Sequence, residues 1–213
     1  MKVIEIFYSI EGEGKRAGIP CTFIRLAGCN LRCNYCDTRY SYTDEEATEM
    51  TIQQIVDKCY DYGPISITVT GGEPLVHDNI VELLKRLVFE GFEVNVETNG
   101  SIPLPRINSP KLFYTMDYKC PSSGMCDAMD MSNMARLTDQ DVLKFVVGSD
   151  EDLLRAAAVI DEYKPKAQIF FSPVWGQIEM SDIVDFMKER GFYHCKIQVQ
   201  LHKIIWNPEA RGV

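Results

Sequence analysis

No apolar run in this 213-residue chain reaches the roughly 18–20 residues that a membrane-spanning helix needs. The opening stretch MKVIEIFYSIEGEG alternates as a strand does, without the continuous apolar core and small-residue cleavage site of a signal peptide. A cytoplasmic protein is therefore expected, with no membrane partner. A basic excess is also missing. Lys and Arg number 22 against 31 Asp and Glu, a net charge of −9, which argues against a surface built to neutralise phosphate backbones and so against nucleic acid as a partner. No linker, repeat or low-complexity segment breaks the chain, and its composition is that of an ordinary globular protein. One domain over residues 1–213 is expected.

In such a setting eight cysteines read as thiols and metal ligands rather than disulfides. Three of them, Cys29, Cys33 and Cys36, share the loop G-C-N-L-R-C-N-Y-C-D-T at a C-x3-C-x2-C spacing. A fourth ligand is lacking: the next cysteine, Cys59, reads as helical, and the first histidine is His77. A structural zinc site closes a tetrahedron of four ligands. Three thiolates instead suit a 4Fe-4S cluster that keeps one iron open to a small molecule, since Cys thiolates are the usual ligands of such clusters. The plainer alternative is three buried cysteines that merely share a loop.

Around this loop the pattern alternates strand and helix. Strands are expected at 2–8, 21–26, 65–70, 92–96, 112–116, 143–147, 168–171 and 195–199, and a surface excursion at 40–50. Helices are expected after the capping box Thr51-Ile-Gln-Gln54 and at 79–90, 150–163 and 181–190, with Gly63, Gly91 and Gly191 as stop signals. Alternation of this kind predicts an α/β protein with a parallel sheet and right-handed crossovers. About six βα units are too few for a closed eight-fold barrel. The expected fold is a partial, open (β/α)6-type, TIM-like barrel with its chemistry at the C-terminal strand ends.

Polar, glycine-rich stretches stand at those ends: Gly71-Gly72-Glu73-Pro74, Glu97-Thr98-Asn99-Gly100 and Asp117-Tyr118-Lys119-Cys120. Ser9-Ile10-Glu11-Gly12-Glu13-Gly14 follows the first strand, where glycine lets the backbone approach a ligand closely; an acidic hairpin turn is the plainer reading. Arg25, a cation in an otherwise apolar strand, either snorkels to water or binds a carboxylate through two parallel hydrogen bonds. His77 reads as a helix-start residue, and His194 and His202 carry no stronger signal. Cys120 and Cys126 make a weak case for a second metal site. Met125, Met129, Met131 and Met134 read as packing.

The cysteine spacing, with an aromatic before the last Cys, resembles the signature of the radical S-adenosylmethionine (SAM) superfamily, and GGEP at a buried strand end resembles its SAM-positioning motif. The order SIEGEG, the Gly18-to-Thr38 stretch, TGGEPL, ETNG, DYKCPSSGM, LKFV and the C-terminal QLHKIIW…RGV extends the resemblance over nearly the whole chain, to the 7-carboxy-7-deazaguanine synthase family. That resemblance implies a lyase of queuosine and 7-deazapurine biosynthesis that converts 6-carboxy-5,6,7,8-tetrahydropterin to 7-carboxy-7-deazaguanine and ammonia. Reductive SAM cleavage to a 5′-deoxyadenosyl radical, which abstracts a substrate hydrogen, begins the reaction. It implies Cys29, Cys33 and Cys36 as ligands of the 4Fe-4S cluster. Tyr35, Cys36, Asp37, Gly72, Glu73, Asn99, Asp117, Tyr118 and Lys119 would meet SAM. Ile10, Glu11, Gly12, Arg25, Thr70 and the carboxylate of Val213 would meet the pterin, and Thr38 would bind Mg2+. A homodimer and an external electron donor of flavodoxin or ferredoxin type are implied as well. Many members of the family carry Gln where this chain has Glu11; an amide donates and accepts, whereas an ionised carboxylate only accepts.

Two rival readings stand beside this one. A glycyl-radical-enzyme activating enzyme shares the cysteine spacing but needs an open face for a protein loop, whereas SIEGEG, Arg25 and the C-terminal tail suit closure over a small molecule. A non-catalytic iron-sulfur carrier or zinc module has no use for GGEP at a strand end.

Overall fold

The computed structural model describes residues 1–213. Its strands are β1 (Lys2–Ile10), β2 (Pro20–Leu26), β3 (Thr48–Glu49), β4 (Ser66–Gly71), β5 (Glu93–Thr98), β6 (Leu112–Lys119), β7 (Val142–Val147), β8 (Gln168–Pro173) and β9 (Cys195–Ile197). The α-helices are α1 (Ile52–Tyr62), α2 (Ile80–Phe89), α3 (Asp150–Tyr163), α4 (Met180–Glu189) and α5 (Leu201–Ile205). One sheet runs in the order β3-β1-β2-β4-β5-β6-β7-β8-β9. From β2 to β9 every pairing is parallel. The end strands β3 and β9 do not meet, so the barrel is open. No helix is long and apolar enough to cross a membrane.

Helix boundaries follow local chemistry. Thr51 and Gln54 close the capping box of α1, and Gly63 ends the helix in the left-handed region. Ser149 accepts from the Asp152 amide at the start of α3. Two departures from simple alternation have clear causes. β1 pairs antiparallel with β2 because segment 11–19 is shorter than the dozen or so residues a parallel crossover needs. The crossovers β5–β6 and β6–β7 contain 3-10 turns or loop but no α-helix, so helices occupy four of the six parallel connections.

Side chains alternate along each strand, and this divides the sheet into two faces. Ile24, Leu26, Ile67, Val69, Val94, Val96, Met116, Leu143, Phe145, Ile169 and Phe171 pack with Ile55, Leu83, Leu84, Leu153 and Ile183 of the helices in one apolar core. The intervening residues on the other face are largely polar and still buried: Thr68, Thr70, Asn95, Thr115, Lys144 and Ser172. Polar residues at the ends of β5 and β6 remain in the ladder, so these strands run on past Val96 and Met116 to Thr98 and Lys119.

Candidate active site

The polar sheet face and the loops beyond β2, β4, β5, β6 and β8 enclose a cavity of about 900 Å3, at the upper end of the roughly 300–1,000 Å3 that small-molecule sites occupy. Cys29, Cys33 and Cys36 all line it and are partly exposed. Their loop is fixed from both sides. The Gly28 amide donates to Ser41 O (2.8 Å), and the amides of Gly72 and Glu73 donate to Leu26 O (3.1 Å) and Gly28 O (2.8 Å). Gly72 sits so close to this loop that a Cβ would overlap the Gly28 carbonyl and Cys29. The two glycines at the end of β4, Gly71 and Gly72, thus let one strand end pack on the next.

Burial pushes the Cys29 and Cys33 thiols up, with neighbouring anionic groups adding to the effect. A cationic iron centre supplies the charge that holds such thiols as thiolates. The Leu31 amide and Asn99 Nδ2 lie 3.4 and 3.9 Å from Cys29 Sγ, and hydrogen bonds to ligand sulfur are one means of setting a cluster's potential. No three His, Cys, Asp or Glu side chains converge on one point as a single-ion site requires. The three thiols instead rim a shared space. Buried polar atoms without a protein partner gather at the same cavity: Tyr35 OH, Tyr42 OH, Asp117 Oδ1 and Gln200 Oε1. Such atoms are rare in native folds, and here a polar ligand would satisfy them. The donor set therefore fits a 4Fe-4S cluster with a polar molecule at its open corner.

Of the residues singled out from the sequence, Ile10, Glu11, Gly12, Arg25, Tyr35, Asp37, Thr38, Thr70, Gly72, Asn99, Asp117, Lys119 and Val213 line this cavity together with the cysteines. Two do not. Glu73 is fully buried behind the wall, where Oε1 accepts from the Leu75 amide (3.0 Å) and Thr98 Oγ1 (2.8 Å) and Oε2 from the Asn99 amide (2.6 Å). Both oxygens accept hydrogen bonds that staple the turn after β4 to the end of β5, which sets the side chain back from the cavity surface. Burial, against these hydrogen bonds, raises its pKa to about 7. The Tyr118 side chain lies outside the cavity for a different reason. Strand alternation turns Asp117 and Lys119 to the cavity and the Tyr118 ring to the apolar core against Phe145, where its hydroxyl accepts from Arg155 Nε (2.9 Å).

Arg25 is partly engaged. Nε donates to Glu5 Oε1 (2.8 Å), which also accepts from Tyr40 OH (2.9 Å), while the two terminal nitrogens carry no protein acceptor. Gly12 makes its close approach to the protein itself, since a Cβ there would collide with the His202 ring and Gly12 O accepts from the Leu201 amide (3.0 Å). Thr38 Oγ1 lies 3.8 Å from Cys36 Sγ. His77 holds Ala27 O (2.7 Å) away from the cavity.

Sequence reasoning missed Glu13, Lys144 and His202. Lys144 Nζ bridges Glu13 Oε2 (2.6 Å) and Asp117 Oδ2 (3.4 Å), and Lys119 Nζ reaches Asp117 Oδ2 as well (3.1 Å). Burial alone would lower the Lys144 pKa, but Glu13 and Asp117 hold it well above the ordinary value. A cation inside the apolar strand β7 was the available signal, the same one that marked Arg25. His202 faces the cavity from α5 and is pushed down by burial; nothing in its local sequence marks it.

Residues 23–109 match the model of the radical SAM superfamily. The chain is 46% identical over 220 residues to a 7-carboxy-7-deazaguanine synthase of Clostridium acetobutylicum, covering 100% of this chain and 99% of that one. A second 7-carboxy-7-deazaguanine synthase, from Methanospirillum hungatei, is 41% identical over 98% of this chain and 86% of its own. In fold it is similar to the crystal structure of QueE from Escherichia coli, with a TM-score of 0.77, 20% identity and coverage of 93% of each chain.

Proposed function

The chain belongs to the 7-carboxy-7-deazaguanine synthase family of radical SAM enzymes, and from that premise we propose how its residues share the work. It is a lyase of 7-deazapurine biosynthesis, converting 6-carboxy-5,6,7,8-tetrahydropterin to 7-carboxy-7-deazaguanine and ammonia. When bound, the 4Fe-4S cluster and SAM supply the hard chemistry, a 5′-deoxyadenosyl radical that removes hydrogen from the substrate. Cys29, Cys33 and Cys36 hold the cluster. Tyr35, Asp37, Gly72, Asn99, Asp117 and Lys119 shape the SAM side of the cavity. The free guanidinium edge of Arg25 pairs with the pterin carboxylate, and Ile10, Glu11, Gly12, Thr70 and the Val213 carboxylate surround the ring. Thr38 would offer one oxygen to Mg2+, a hard cation that takes oxygen ligands and keeps several waters. The protein's own contribution is to hold the reacting groups in line and to exclude water from them. Residues 1–213 act as one domain whose C-terminal tail closes over the substrate. We place the enzyme in the cytoplasm as a homodimer served by a flavodoxin- or ferredoxin-type donor. A glycyl-radical activating role is not favoured: the tail occupies the side a protein loop would need.

The observation that carries this reading is the meeting of the three thiols, the glycine pair at the end of β4 and the polar ends of β5 and β6 in one cavity. Anaerobic reconstitution with iron and sulfide, then mass spectrometry after adding SAM, dithionite, Mg2+ and the carboxy-tetrahydropterin, tests it. The expected products are 5′-deoxyadenosine and 7-carboxy-7-deazaguanine, and Cys33→Ala is expected to lose both along with the brown chromophore. SAM cleavage without any deazaguanine would refute the substrate assignment.

A further inference from the structure

Arg16 lies behind the cavity wall rather than in it. The segment between β1 and β2 folds beneath the polar sheet face, and the 3-10 turn Gly14–Arg16 carries the guanidinium inward until Arg16 is 8% exposed. Nη1 donates to Glu93 O (2.9 Å) and Nη2 to Ile67 O (3.0 Å), two carbonyls at the starts of β5 and β4. The guanidinium carbon stands 5.1 Å from the Phe113 ring centroid. These contacts fix the cation in place independently of any ligand.

Nη2 also reaches Glu11 Oε2 (3.2 Å) and Thr68 Oγ1 (3.1 Å), and Thr68 Oγ1 donates to the same Oε2 (2.6 Å). Glu11 is 2% exposed and lines the cavity, whereas Arg16 and Thr68 do not. Its carboxylate is thus clamped from behind through one oxygen, and Oε1 carries no protein donor. Burial and the nearby Glu97 push Glu11 toward the neutral form, and Arg16 is among the groups that oppose them. A neutral carboxyl would present a hydroxyl donor, whereas an ionised one only accepts. The pyrimidinone edge of a pterin offers a ring N–H beside an exocyclic amino group, two adjacent donors that call for an acceptor.

We propose that Arg16 is a positioning residue for substrate recognition: by holding Glu11 Oε2 it keeps the free Oε1 turned to the cavity as a charged acceptor for the N–H edge of the pterin. The inference rests on the pterin reading above and adds to it the device by which a glutamate serves at this position. A glutamine side chain in its place would be neutral and would not need the cation behind it.

The test is a double-mutant cycle on the reconstituted enzyme, with pterin KM and kcat, anaerobic calorimetric pterin binding, Tm and pterin-free SAM cleavage measured for each form. Arg16→Met is expected to raise pterin KM and Kd by about tenfold or more with Glu11 present, and by less than about twofold in the Glu11→Gln background, because coupled residues fail to add. A rise of equal size in both backgrounds, no rise at all, or a parallel loss of pterin-free SAM cleavage would overturn the proposal. Should Arg16→Met not fold, Arg16→Lys, which keeps the charge but not the fork, goes through the same cycle. A KM rise that vanishes in the Glu11→Gln background supports the proposal, and a rise that persists there sinks it. Failure of the unmodified enzyme to turn over the pterin defeats the functional reading itself, while turnover with additive effects defeats only this inference.

Discussion

Glu11 carries a measurable stability signature beside the binding role proposed for it. Its pKa is raised to about 7 from 4.5, first by burial and then by Glu97, against its bonds to Thr68 and Arg16. Below pH 4.5 both folded and unfolded chains hold this proton. Between about pH 4.5 and 7 the unfolded chain releases it while the folded chain keeps it, so the unfolded state binds fewer protons and stability falls as pH rises. Glu11→Gln removes that slope. Measured against the native protein, the variant's stability is expected to improve from pH 4.5 to 8 by up to about 3 kcal/mol. Urea unfolding at both pH values checks this, and a constant difference between the two proteins would contradict it. Glu73 shows how a residue can matter to a site without lining its cavity. It holds Asn99 and the Gly72 turn in place through three hydrogen bonds made behind the cavity wall.

At the scale of elements, strand alternation distributes the chemistry. Asp117 and Lys119 reach the cavity and Tyr118 the core because successive side chains on β6 point to opposite faces. Parallel register sets Arg25 beside Thr70 and Leu26 beside Gly71, which brings the cysteine loop against the turn after β4. That contact leaves no room for a side chain at Gly72. Gly72→Ala is expected to cost about 1–3 kcal/mol through overpacking. It is also expected to reduce cluster retention and SAM cleavage more than pterin binding, since the displaced atoms are the Gly28 carbonyl and the Cys29 Cβ. Iron content per chain and a SAM-cleavage assay would settle it; full iron loading with normal cleavage would show the contact to be slack.

On the scale of the whole molecule, the sheet is open and the chain's last residues help complete the enclosure. Lys203 pairs with Asp37 (3.2 Å) and Arg211 with Glu46 (3.0 Å), Arg211 lies 3.4 Å over the Tyr40 ring, and Val213 lines the cavity. The Arg211–Glu46 pair is exposed and contributes little, so beyond the partly buried Lys203–Asp37 pair residues 207–213 are held by weak contacts. Removing residues 207–213 is expected to leave Tm within about 2 °C while pterin KM rises and product formed per 5′-deoxyadenosine falls. Unchanged coupling after truncation would show that the tail has no part in closure.

The sequence by itself determined the cysteine loop, the glycine pair at the end of β4, the polar strand ends and most helices and strands, because each rests on residues a few positions apart: a ligand spacing, a capping box, a left-handed glycine. It could also mark Arg25 as out of place in an apolar strand. What only the tertiary structure decided were the partners. Lys144 meets Glu13 across 131 positions, Arg16 meets Thr68 across 52, and His202 meets Gly12 only when α5 folds back. The turning-away of Glu73 and Tyr118 and the antiparallel entry of β1 belong to the same class. Burial makes each buried charge find a counter-charge or a donor, and the sheet's register, not local sequence, determines which one is within reach.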